Sequence, residues 1–135
     1  MIQMPLLRAV VALIGASATI KNCGSSSDLA KYISGSISPV PVVPGENVTI
    51  SFTYDLSAPI TGGSAQYTYS MNYIPFAPDD VPLCDATACP KEPGCYTETS
   101  TNLFPTDVSG RLDGTIEWYT ETNEPILCVK TTFLI

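Results

Sequence analysis

The sequence predicts an all-β domain, an antiparallel sandwich of two sheets of immunoglobulin type, on three observations. Apolar and polar residues alternate at period two in two long segments. Pro and Gly cut the chain at short intervals. Beyond the first 18 residues no stretch sustains helical periodicity.

Taken in order, the chain opens with Arg8, the apolar run from Ala9 to Ile14 and the small residues Ala16-Ser17-Ala18. That order reads as a secretory leader over residues 1–18 with an A-x-A cleavage signal, and the run is shorter than the ~20 residues a membrane span needs. A weak strand is expected over Lys31 to Ile37. The clearest runs from Asn47 to Leu56, where Val48, Ile50, Phe52, Tyr54 and Leu56 form one face and Thr49, Ser51, Thr53 and Asp55 the other. Ala65 to Ile74 repeats the pattern with Tyr67, Tyr69, Met71 and Tyr73, a face read from periodicity as core packing before ligand contact. Three more strands are expected over Gly94 to Thr101, Leu112 to Thr120 and Ile126 to Ile135, the last after the turn Asn123-Glu124-Pro125.

Composition removes most function classes. A net charge of −7 with six basic residues disfavours nucleic-acid binding. The absence of histidine excludes Ser/His/Asp and Cys/His nucleophile systems, and with wide cysteine spacings it argues against a zinc site. No metal or other cofactor is expected. Acidic pairs such as Asp79 with Asp80 or Glu121 with Glu124 sit among turn residues and read as solvated charge, so no enzyme is expected. A secreted chain with five cysteines reads as a disulfide framework with an odd member. Asn47-Val48-Thr49 is a glycosylation sequon.

Several local features then line up along the chain. They are Asn22-Cys23-Gly24; Ile37-Ser38-Pro39 leading to Pro44-Gly45; Ile74-Pro75-Phe76 leading to Cys84; Cys89-Pro90 with Gly94 and Tyr96; Ile116-Glu117-Trp118; and Ile126-Leu127-Cys128. In that order they resemble the ML lipid-recognition family, on its branch of soluble cholesterol carriers and their plant and fungal relatives. The resemblance covers residues 19–135. It implies an immunoglobulin-like sandwich whose sheets splay to hold a lipid, with Cys23 bridged to Cys128 and Cys84 to Cys89. Val40 and Val43 stand where animal members carry a further cysteine pair, and Cys95 is either free or a competing partner for Cys84 or Cys89.

Carried over residue by residue, Phe76 matches the aromatic at the pocket mouth and Trp118 a pocket tryptophan. Ile116, Leu103 and Phe104 are expected to line the cavity, and Tyr69, Met71 and Tyr73 to form its wall. The implied function is lipid binding and transfer, of a sterol first and a phospholipid as the alternative, outside the cell or in a lysosomal or vacuolar lumen. The implied partners are that ligand and, transiently, a membrane or a membrane sterol transporter, with the chain a monomer. The loop Pro75 to Pro82 is the expected docking element, and any pH response must rest on carboxylates such as Asp79 and Asp80. Two rival readings share the fold: a recognition module with a filled core, and an accessory protein that presents lipid to an enzyme or receptor.

Overall fold

Alternation fixes the longest strands and turn chemistry divides them. In chain order the computed structural model, which describes residues 17–135, runs β1 (Ser17–Asn22), β2 (Ala30–Ser38), β3 (Asn47–Leu56), β4 (Ser64–Met71), β5 (Ile74–Pro75) and β6 (Asp79–Pro82). It continues through the single helical turn α1 (Leu83–Ala86) to β7 (Gly94–Leu103), β8 (Arg111–Tyr119) and β9 (Pro125–Leu134). One sheet has six strands in the order β1-β9-β8-β4-β5, with β6 also paired to β4; the other has three, β2-β3-β7. Every pairing within the two sheets is antiparallel.

The pattern of β3 shows why this segment must be a strand between two environments. Val48, Phe52, Tyr54 and Leu56 are buried against the other sheet. On the outer face Thr49, Ser51 and Thr53 pair hydroxyl to hydroxyl with Thr101, Thr99 and Thr97 of β7, at 2.9, 3.0 and 2.9 Å. Burial against this face divides the core in two. One cluster holds Phe52, Tyr54, Leu56, Leu83 and Trp118; the other holds Ile37, Val42, Val48, Phe104 and Phe133.

The expected strand at Ala65 to Ile74 ends earlier, at Met71, and that moves Tyr73. Met71 pairs with Ile74 across a two-residue turn whose central residues, Asn72 and Tyr73, have φ of 49° and 68°. Such a turn matches the twist of the flanking strands. The period-two face therefore stops at Met71, and Tyr73 is 73% exposed instead of continuing the wall. Gly110, at φ 93°, packs so close to the Asn72 amide that no Cβ fits there.

Cys23 is bridged to Cys128 and Cys84 to Cys89, while Cys95 is free and exposed on β7. Ser17 and Ala18 already belong to β1, opposite Leu134 and Phe133. The rest of the expected leader lies outside the described residues. No helix among the described residues is long and apolar enough to cross a membrane.

Candidate functional site

Facing side chains of a sandwich must fill a gap of about 10 Å. Along β7 the alternate residues Tyr96, Glu98, Ser100 and Asn102 shrink and turn polar toward the strand's end. Across the gap, β8 contributes Gly114 and Ile116, and β9 contributes Thr131. Bulk is missing on both sides at the same level, so the sheets enclose space where β7 faces β4, β6 and β8.

The outer part of that space is a cavity of about 340 Å³ walled by Ile50, Tyr67, Tyr69 and Ile116, with Asp79, Ser100 and Asn102 supplying polar groups. Tyr69, Asp79 and Asn102 are exposed and mark its open side. Burial raises the hydroxyl pKa of Tyr67 and of Tyr69, with the charge on Asp79 a smaller contribution to each, so both present neutral O–H groups. Gly114 is opposite Tyr69 in register, and a Cβ there would stand 3.4 Å from the Tyr69 ring and 3.0 Å from Thr131 Oγ1. The glycine lets the aromatic ring lie across the strand.

Deeper in, a chamber of about 90 Å³ shares Ile50, Tyr67, Ser100 and Ile116 with the outer cavity and adds Phe52, Glu98 and Trp118. Trp118 is 2% exposed and packs edge-on against Phe52 and Tyr54, ring centroids 6.1 and 5.7 Å apart. Its Nε1–H has no hydrogen-bond partner. Glu98 Oε2 accepts hydrogen bonds from Tyr54 Oη at 2.8 Å and Thr87 Oγ1 at 3.0 Å, and lies 3.8 Å from Lys91 Nζ. The Lys91 ammonium also sits 4.5 Å from the centre of the Tyr96 ring. Burial, then the bond to Glu98, raises the pKa of the Tyr54 hydroxyl and keeps it protonated.

The short Cys84–Cys89 loop supplies this polar end. Leu83 is fully buried, Thr87 N–H donates to Leu83 C=O, and Lys91 is tied by a two-way backbone bridge to Ile60. Two larger depressions, of about 510 and 430 Å³, lie at the turns around Gly62 and Ser25. Their walls mix polar turn residues with Leu83 in the first and Ala30 and Tyr32 in the second, and neither has the row of apolar side chains, Ile50, Tyr67, Tyr69 and Ile116, that walls the cavity beside β7.

Of the residues singled out from the sequence, Trp118, Ile116 and Tyr69 meet around this space. Phe76 is half exposed beside the opening, its backbone N–H donating to Tyr69 C=O, and Leu103 is exposed next to Asn102. Met71 ends β4 opposite Leu112. Phe104 is elsewhere: it is buried in the second cluster, its ring centroid 5.1 Å from that of Phe133. Ser100, Asn102, Gly114 and Glu98 line or shape the site without having been singled out. The available signals were a glycine inside a strand and a charged residue at an inward position of one.

Comparison with known proteins agrees with this architecture. Residues 17–135 match the family model described as the ML domain. A Dictyostelium discoideum protein named for phosphatidylglycerol/phosphatidylinositol transfer is 29% identical over 126 residues, 89% of each chain. A Cryptococcus neoformans phosphatidylglycerol/phosphatidylinositol transfer protein is 26% identical over 117 residues, 80% of this chain and 65% of the relative. Among solved structures, a Niemann-Pick type C2 protein from Japanese carpenter ant superposes with a TM-score of 0.64 at 19% identity, over 84% of this chain and 96% of that one. Chicken MD-1 complexed with lipid IVa superposes with a TM-score of 0.66 at 16% identity, over 89% and 90%. These two similarities establish the immunoglobulin-like sandwich.

Proposed function

Because the chain belongs to the ML-domain family, we propose that it is a lipid carrier which holds the apolar part of one amphipathic lipid between its sheets and leaves the headgroup at the Tyr69–Asn102 opening. The observation that carries this reading is the coincidence of small residues, Ser100, Gly114 and Thr131, around one opening between the sheets. A volume of about 340 Å³ falls at the lower end of ligand pockets, roughly 300 to 1,000 Å³. One acyl chain or one sterol suits it better than two chains. The ligand is a sterol or a phospholipid, and the names of the Dictyostelium and Cryptococcus relatives weigh toward the phospholipid.

Around the opening, exposed Tyr73, Ile74, Phe76 and Leu103 offer an apolar rim for transient docking on a membrane or a membrane sterol transporter. The chain acts as a monomer, without catalysis, and two disulfides suit an extracellular or lumenal, oxidising setting. Residues 1–18 serve as its leader, so that Ser17 and Ala18, paired in β1 with Leu134 and Phe133, leave on cleavage, and Asn47, exposed at the start of β3, serves as a glycan acceptor.

Mass spectrometry of organic extracts from chain secreted by a eukaryotic host tests the reading. A stoichiometric sterol or phospholipid, lost in the Ile116→Trp variant that fills the cavity, is the expected result. An empty protein that takes up no lipid from liposomes would sink it and leave the recognition module.

A further inference from the structure

The opening of the 340 Å³ cavity carries a negative charge and no positive one. Asp79 of β6 lines it, opposite Tyr67 of β4 in register, and Tyr69 is next on the same face of β4. No Lys or Arg lines this cavity. Among the described residues the ion pairs are Lys91–Glu98 and Arg111–Asp113, and neither engages Asp79. The charge on Asp79 reaches the aromatic wall, where after burial it is one of the causes that raise the pKa of the Tyr67 and Tyr69 hydroxyls. Tyr69 is 45% exposed, so part of that wall is open to a ligand. A carboxylate beside two aromatic rings is a set that attracts an ammonium group, by its charge and through the ring quadrupoles.

We propose that the opening selects lipids whose headgroup carries an ammonium group, held beside Asp79 and the rings of Tyr67 and Tyr69. The proposal rests on the carrier reading, which leaves the headgroup at this opening, and it names the chemistry of that headgroup. An uncharged hydroxyl headgroup gains only hydrogen bonds from Ser100, Asn102 or Asp79. A headgroup whose only charge is a phosphate meets Asp79 with no cation in the wall to balance it. The selection therefore comes from a repelled alternative as well as from a favoured contact. The preferred headgroup differs from the phosphatidylglycerol and phosphatidylinositol in the names of the Dictyostelium and Cryptococcus relatives.

The test uses the full mature chain with palmitoyl lysophosphatidylcholine and palmitoyl lysophosphatidylglycerol, which share the acyl chain and the phosphate and differ in the ammonium. Affinities are read by displacement of an uncharged fluorescent lipid. Lysophosphatidylcholine is expected to bind about fivefold tighter at low salt, the size of one exposed ion pair with a cation–π contact. That ratio should shrink as salt is raised. It should fall to about one in Asp79→Asn and invert in Asp79→Lys. Asp55→Asn, which removes an equal charge from the exposed outer face of β3, should leave it unchanged. Each ratio is internal to one variant, so a loss of stability does not imitate the effect. Equal affinities, tighter binding of lysophosphatidylglycerol, or an equal response to Asp55→Asn would overturn the proposal while leaving the carrier function standing. Uptake of sterol with binding of neither lysophospholipid would likewise overturn only the proposal, whereas no binding of any of the three would overturn both.

Discussion

Ser100 borders both the outer cavity and the inner chamber, on an edge strand where a larger side chain meets no close-packed neighbour. Ser100→Phe should therefore fill the passage and strengthen the strand, since aromatic residues suit β-structure. The expected outcome is a loss of lipid binding of at least about tenfold with an unchanged or raised melting temperature, checked by liposome uptake beside calorimetry. Asp113 supports stability instead. It accepts from Arg111 Nε and Thr132 Oγ1 at 2.8 and 2.7 Å, and these bonds, Arg111 first, hold its carboxyl below the usual range against the opposing effect of burial. A depressed folded pKa means stability that is present above the unfolded value near 3.9 and lost as pH falls through the folded one. Asp113→Asn should cost about 1 kcal/mol at pH 7, the Arg111 end being partly solvated, and nearly nothing near pH 2. Urea unfolding at the two pH values measures the difference.

At the scale of elements, the β4–β5 hairpin joins the opening to the apolar rim. Asn72 secures it by donating from Nδ2 to Ser109 C=O at 3.3 Å and accepting Arg111 N–H at Oδ1 at 2.8 Å, while the Arg111 guanidinium lies 5.0 Å over the Tyr73 ring. This rigid frame carries Ile74, which is 68% exposed and contributes little to the core. Ile74→Ser should slow lipid transfer between liposomes several-fold while leaving the stoichiometry of extracted lipid unchanged; equal slowing of uptake and loss of bound lipid would remove the hairpin from the docking role. The same hairpin marks how far the sequence can be read. β3, β7, β8 and β9 are legible because long strands with one buried face carry a period-two signal. β5 and β6, with two and four residues, carry too little of it, and the alternation at Tyr69 and Met71 gives no notice that positive φ at Asn72 and Tyr73 ends it. The site is less legible still. Trp118, Ile116 and Tyr69 stand out as bulky residues, whereas the cavity is made by small ones, and only the pairing of strands shows that Ser100 and Gly114 border the same gap.

Over the whole molecule, a core interrupted by a cavity forgoes packing that a filled sandwich would have, and the two disulfides compensate in different ways. Cys23–Cys128 ties the residue that follows β1 to β9 across a sequence separation of 105, so it restricts nearly all of the described chain when unfolded. On the chain-entropy account that is worth about 4.8 kcal/mol, against about 2 kcal/mol for Cys84–Cys89 with its separation of 5. The short bridge has a second role, because its loop presents Thr87, with Lys91 shortly after it, to Glu98, which lines the smaller cavity beside Trp118. Replacing each pair by serine should therefore separate stability from binding. Cys23→Ser with Cys128→Ser should lose most of the unfolding free energy and bind lipid normally at low temperature, where the fold persists. Cys84→Ser with Cys89→Ser should remain folded but bind more weakly, through the loosened floor around Glu98 and Trp118. Denaturant midpoints and lipid affinities measured on both double variants decide the matter: parallel losses in the two would mean that the short bridge is only a staple, with no part in shaping the cavity.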